Sequence, residues 1–194
     1  MEIIKTSIEG LVLVQPKVFE DERGYFIEFY KESFFNDHFP GIHFIQDNES
    51  RSSYGVLRGL HFQKPPYEQT KLFRVVHGEI LDVAVDLRKD SPTYGQWESF
   101  VISSENKRQI LIPKGFAHGF VVKSKQAIVS YKVDSPYKKE YESGIRFDDK
   151  GLNINWEIES KSIKLNTKDK RPAGFFVCVA ACDLACVAAG WALK

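Results

Sequence analysis

Leu81-Asp82-Val83-Ala84-Val85-Asp86-Leu87 is the stretch that decides the fold. Apolar side chains at 81, 83, 85 and 87 alternate with Asp82, Ala84 and Asp86, and a period of two is that of a half-buried β-strand. Working outward, further strand candidates are 10–15, 25–30, 43–48, 56–62, 72–77, 97–102, 109–112, 120–122 and 127–133. Turn clusters separate them: Asp21-Glu22-Arg23-Gly24, Lys64-Pro65-Pro66, Lys89-Asp90-Ser91-Pro92 and Ser103-Ser104-Glu105-Asn106. Many short strands at this spacing predict an all-β sandwich or barrel. The only helix expected before the chain's end lies over 31–39, where Phe34, Phe35, His38 and Phe39 share a face.

The 194 residues fit one domain, expected over 1–172. A hydrophobic share of 43% with 27% charged residues excludes wholesale disorder. Lys and Arg number 27 against 26 Asp and Glu, a balance unlike the basic excess of a nucleic-acid or membrane-surface binder. Residues 1–13 carry no charged region followed by a long apolar run and cleavage site, so a cytoplasmic protein is expected. The last stretch, 173–194, differs from the body: its middle is apolar on every face around Asp183. A segment packed on the body or on a partner is expected there rather than a membrane anchor, because a carboxylate in lipid is costly. All three cysteines (Cys178, Cys182 and Cys186) fall in that stretch, an odd count that argues against a disulfide framework. Their spacing puts them on one helix face, which positions three ligands poorly around a tetrahedral metal.

The chain has no phosphate-binding Gly-rich loop and no Gly-x-Ser-x-Gly elbow. Its polar chemistry concentrates elsewhere. In Leu57-Arg58-Gly59-Leu60-His61-Phe62-Gln63, strict alternation sends Arg58, Leu60 and Phe62 one way and Leu57, Gly59, His61 and Gln63 the other. Further on, Pro113-Lys114-Gly115-Phe116-Ala117-His118 runs from a strand through a turn to a histidine. This Pro-x-Gly-x-x-His stretch resembles the second motif of the cupin superfamily, a double-sheet jelly roll. The first motif of metal-binding cupins needs His-x-His, and the corresponding stretch here reads His61-Phe62-Gln63. A metal-free cupin with a few short helices is therefore expected, without metal or other cofactor.

Taken in order, Asp21-Glu22-Arg23-Gly24-Tyr25-Phe26, Gln46-Asp47-Asn48, Leu57 to Gln63, Gln69-x-Lys71-Leu72, Val75-x-x-Gly78-Glu79-Ile80-x-Asp82-Val83, Pro113 to Phe120 and Tyr131 resemble the dTDP-4-dehydrorhamnose 3,5-epimerase family. The resemblance covers roughly residues 1–172. It implies a homodimer with strands exchanged at the N-terminus, and a dTDP-4-keto-6-deoxy-hexose substrate inverted at C3 and C5 in dTDP-L-rhamnose biosynthesis. The C4 carbonyl acidifies both positions, and the chemistry needs a base, an acid and a group to hold the enolate. The resemblance assigns His61 as base, oriented by Asp169, with Tyr131 as acid on the opposite face and Lys71 near the C4 oxyanion. It assigns the diphosphate to Arg23, Arg58 and His118, and nucleotide or sugar contacts to Gln46, Asn48 and Glu28. Phe26 and Tyr137 offer apolar faces, Tyr137 for the thymine, and Glu142 and Lys168 match more loosely. Two alternatives stay open: an epimerase inverting only C3 or only C5, and a non-catalytic sugar-nucleotide-binding cupin.

Overall fold

A computed structural model describes residues 1–167 and 169. The strands are β1 (Glu2–Lys5), β2 (Val12–Gln15), β3 (Val18–Asp21), β4 (Gly24–Ile27), β5 (Gln46–Ser53), β6 (Leu57–Gln63), β7 (Lys71–His77), β8 (Glu79–Asp86), β9 (Trp97–Ser103), β10 (Gln109–Ile112), β11 (Phe116–Val122), β12 (Gln126–Val133) and β13 (Glu142–Gly144). One α-helix, α1 (Glu32–His38), and two single 3-10 turns complete the elements among the described residues. Two antiparallel sheets carry the fold. The larger runs β1-β2-β10-β7-β12-β5 and the smaller β13-β6-β11-β8-β9, while β3 and β4 form a separate hairpin. This is the expected all-β, cupin-type double-sheet jelly roll.

Three layers of apolar packing follow from the period of two. Phe73, Val75, Ile80, Ala84, Ile110, Ile112, Phe116, Phe120, Val122, Ala127 and Val129 fill the space between the sheets. The outer face of the smaller sheet buries Leu81, Val83, Val85, Ala117 and Val121 under Ile145, Leu152 and Trp156 of the C-terminal segment. The outer face of the larger sheet buries Val12, Val14, Leu72 and Leu111 against Phe35 of α1. Coverage on both sides changes the reading of residues 81–87. The strand is not half-buried: β8 lies between β11 and β9 and is buried along almost its whole length. Leu81, Val83 and Val85 face outward under the C-terminal cover, and Asp82 and Ala84 face the interior.

Strict alternation also fails in β6. The β6–β11 register pairs His118 with His61 but Phe120 with Arg58, so two steps along β11 span three along β6. This bulge puts Leu57 and Leu60 together in the outer cluster. It turns Arg58 and His61 to the same, inner face, where alternation had separated them. Gly59 makes the bulge possible. Its φ is +129°, and a Cβ there would press into the Gly119 Cα and stand 2.8 Å from the His118 carbonyl oxygen.

The sequence reading leaves out three strands, β1, β3 and β13, each short and without sustained alternation. The strand expected at 43–48 begins at Gln46 and runs to Ser53 through a polar stretch, because β5 pairs residue by residue with β12. The strand expected at 120–122 begins at Phe116, since its glycine and histidine are accommodated inside the sandwich. Lys168, the apolar run 173–194 and the three cysteines lie outside the described residues.

Candidate active site

The site is built between the sheets. The smaller sheet supplies Arg58 and His61 from β6, Asp82 from β8 and His118 from β11. The larger sheet supplies Lys71 and Phe73 from β7, Tyr131 from β12, and Gln46, Asn48 and Ser52 from β5, in register with Val133, Tyr131 and Ala127. Arg58 spans the two walls, its Nε donating to the Ser52 Oγ at 3.0 Å.

Asp169 reaches His61 because the chain before it is pinned to β6. The amide of Leu57 donates to the Lys164 carbonyl at 3.0 Å, and the amide of Lys164 donates to the Gly55 carbonyl at 2.7 Å. Asn166 Oδ1 then accepts from the Asp169 amide at 2.7 Å. The Asp169 carboxylate is fully buried and accepts from His61 Nε2 at 2.5 Å. A carboxylate can only accept, so Nε2 carries the proton and His61 Nδ1 keeps the lone pair. The imidazole retains 26% of its side-chain exposure and is accessible to a ligand.

A second such pair stands beside the first. His118, directly opposite His61 across the ladder, donates from Nε2 to Asp82 Oδ2 at 2.8 Å. Both groups are enclosed, His118 at 6% and Asp82 at 0% exposure. Burial pushes the His118 imidazole below its ordinary 6.5; Asp82 opposes this, and the charges of Lys71 and His61 add to it. Burial pushes the Tyr131 phenol above its ordinary value, with Arg58 pulling the other way. Phe73 ties the walls together: it stacks on Tyr131 at 5.4 Å and meets His118 edge-on at 4.9 Å.

The structure thus brings together His61, Asp169, Tyr131, Lys71, Arg58, His118, Gln46 and Asn48. Within that set Gln46 donates to Asn48 at 2.7 Å. Arg23, Phe26 and Glu28 stand apart on the exposed β3–β4 hairpin and the turn after it, with Arg23 at 85% side-chain exposure and paired to Asp21. Tyr137 donates from its hydroxyl to Glu142 at 2.9 Å, on the β13 edge next to β6. Gln63, where metal-binding cupins have a second histidine, is committed to backbone. Its amide nitrogen donates to the Tyr67 and Pro136 carbonyls, and its oxygen accepts from the Lys138 amide.

Sequence reasoning gave no role to Asp82, Phe73 or Ser52. The signal for Asp82 was present: an aspartate inside an apolar alternation needs a buried partner once both faces of its strand are covered.

Acid–base groups lodged between the sheets of a cupin-type jelly roll define an isomerase of that class. The model of the family described as dTDP-4-dehydrorhamnose 3,5-epimerase matches residues 5–175. The dTDP-4-dehydrorhamnose 3,5-epimerase of Methanothermobacter thermautotrophicus is 52% identical over 156 residues, covering 80% of this chain and 84% of that protein. The crystal structure of the enzyme of that name from Elizabethkingia anophelis is 47% identical, with a TM-score of 0.87 over 91% of this chain and 97% of its own. The dTDP-6-deoxy-D-glucose-3,5-epimerase of Legionella pneumophila, solved in complex with dTDP-4-keto-L-rhamnose, is 43% identical, with a TM-score of 0.89 over 93% and 96% of the two chains. The chain belongs to the dTDP-4-dehydrorhamnose 3,5-epimerase family.

Proposed function

We propose that this protein inverts C3 and C5 of a dTDP-4-keto-6-deoxy-hexose through an enolate, as a step of dTDP-L-rhamnose biosynthesis. The observation that carries this reading is the pairing of His61, on the smaller sheet, with the buried Asp169 carboxylate, across from Tyr131 and Lys71 on the larger sheet. His61 Nδ1 is the basic atom. It takes the proton from the carbon next to the C4 carbonyl, and Asp169 stabilises the imidazolium that results. Lys71 offsets the charge that develops on the C4 oxygen, an interaction that gains strength where water is excluded. Tyr131 returns a proton from the other face; a phenol whose pKa is pushed up is protonated at neutral pH and able to donate.

Arg58 suits the diphosphate, since a guanidinium binds two oxygens at once. Arg23, Phe26 and Glu28 sit on a hairpin that pairs with neither sheet and exposes Phe19, Tyr25 and Phe26. This supports a homodimer in which the hairpin of one copy reaches the site of the other. Sedimentation at equilibrium tests it, and a monomer at micromolar concentration would overturn it. Tyr137 and Glu142, hydrogen-bonded to each other at the β13 edge, are assigned to the nucleotide in this reading, Tyr137 to the base, and a cytoplasmic location completes it.

The deciding experiment is incubation of the 4-keto sugar nucleotide in deuterium oxide. Deuterium is expected at both C3 and C5 with inversion at each. Label at one carbon alone would make the protein a mono-epimerase, and no label would make it a binding protein.

A further inference from the structure

We infer that Gln63 is a positioning residue that holds Tyr137 out for the nucleotide base, an inference that deepens the functional reading above and rests on it. Gln63 closes β6 two residues after His61 and is 7% exposed. A buried primary amide carries two N–H groups and an oxygen that need partners. Here every partner is backbone. Nε2 donates to the Tyr67 carbonyl at 2.7 Å and to the Pro136 carbonyl at 3.0 Å, and Oε1 accepts from the Lys138 amide at 2.6 Å. Two carbonyls and one N–H can be met in only one orientation of the amide, so the group is fixed as well as satisfied.

What the amide grips gives the arrangement its meaning. Its contacts with Pro136 and Lys138 fall on either side of Tyr137. The same stretch is tied down at three further points. The Thr70 amide donates to Asp134 Oδ1 at 2.7 Å, Gln69 Nε2 donates to the Ser135 carbonyl at 2.8 Å, and the Tyr137 hydroxyl donates to Glu142 Oε2 at 2.9 Å. Glu142 is in turn the residue opposite Gln63 in the β6–β13 ladder. The backbone around Tyr137 and its hydroxyl therefore both refer back to one position of β6. Tyr137 nonetheless keeps 51% of its exposure. An aromatic ring held at both ends and open on its surface loses little further freedom when a flat partner stacks on it, which is what a preorganised platform for a base requires. The strand that carries His61 thus also sets this platform, two residues further on.

The test is calorimetric titration of dTDP into wild type, Gln63→Glu, Gln63→Met, Tyr137→Ala and the double variant Gln63→Met/Tyr137→Ala, beside deuterium exchange into the 4-keto sugar nucleotide. Tyr137→Ala should weaken dTDP about 10- to 100-fold, the worth of stacking one base on an aromatic ring. Gln63→Glu keeps the size but turns an acceptor towards two carbonyls, and Gln63→Met keeps neither polar group. Each should weaken dTDP about 5- to 20-fold, the worth of one or two hydrogen bonds. KM should rise by the same factor with turnover at saturation within about threefold of wild type, the split expected when binding is lost and the chemistry is not. The double variant should bind no more weakly than Tyr137→Ala, because two changes that act through one ring do not add. Inorganic pyrophosphate, which has no base, should bind every variant alike. Wild-type affinity for dTDP in Gln63→Met, an additive loss in the double variant, or an equal loss of pyrophosphate overturns the inference. Should Gln63→Met fail to fold, the isosteric Gln63→Glu and its own combination with Tyr137→Ala decide in the same way. A wild type that binds dTDP but incorporates no deuterium would overturn the epimerase reading, and the calorimetry would still decide for or against Gln63. A wild type that binds no dTDP would overturn both.

Discussion

Replacing Gly59 with alanine tests the link between the β6 bulge and the site most directly. The new methyl would press into the Gly119 Cα and stand 2.8 Å from the His118 carbonyl oxygen. Unstrained contacts between such atoms lie at about 3.5–4.0 Å. Both neighbours are backbone atoms of β11, so relief requires the two strands to part by roughly 1 Å. Overpacking of this kind costs about 1–3 kcal/mol. Gly59 also has φ +129°, where an L side chain is strained, adding a further cost of about 1–3 kcal/mol. Against a typical total stability of about 5–15 kcal/mol, the combined loss is large. At about 2–4 °C per kcal/mol for a domain of this size, the melting temperature should drop by roughly 10 °C. Gly24→Ala separates the two contributions, because Gly24 has φ +123° but an added Cβ there would meet nothing within 4 Å. It should lose the backbone part alone. Gly119→Ala, with the Arg58 carbonyl oxygen at 2.9 Å and Gly59 Cα at 3.1 Å, should fall between. Thermal scans followed by near-ultraviolet circular dichroism give the order, and deuterium exchange on the folded fraction reports the site. If Gly59→Ala melts no lower than Gly24→Ala and keeps wild-type exchange, the close approach of β6 and β11 does not set the geometry of Arg58 and His61.

Three further outcomes are expected. His61→Ala should lower turnover by about two to four orders of magnitude, the usual worth of a general base, with little change in nucleotide affinity measured by calorimetry. Activity should survive exhaustive chelation, because Gln63 is committed to three backbone groups where a second metal-ligating histidine would stand; loss with EDTA and recovery with a divalent ion would contradict this. Stability should fall in acid through Asp86. Burial pushes this carboxyl up, but Arg88, Ser91 and Thr93 together bring it down from 3.8 to about 2. A depressed folded-state pKa gives stability that is present above the unfolded value and is lost as pH falls towards 2. The contribution is about 2 kcal/mol, so urea midpoints at pH 5 and pH 2.5 should converge more in Asp86→Asn than in wild type.

Much of the fold was legible because it is written in local alternation. Strands such as 109–112 need only their own residues to be recognised, and α1 declares itself through the spacing of its phenylalanines. The elements that were missed depend on partners. The polar strand β5 is a strand because β12 lies alongside it, and β13 because β6 does. The same distinction separates the legible from the illegible parts of the site. His61 and Tyr131 stood out as chemistry-bearing residues inside strands, and the family resemblance gave them roles. Asp82 did not, because whether an aspartate in an alternating strand meets water or a buried histidine depends on what covers the other face, and that cover comes from residues 145–165. Asp169 is the extreme case. In its own polar run nothing distinguishes it from a solvated charge. Its burial follows from the bridge between Val56 and Lys164, which lays a strandless segment along the start of β6 and brings the chain to His61 from 108 residues away. The bulge at Gly59 acts in the same way on Arg58, turning it to the inner face through a register that only the pairing with β11 defines. The face of β6 that carries Arg58 and His61 is therefore specified by its two neighbours, β11 and the C-terminal segment, as much as by the residues of β6 itself.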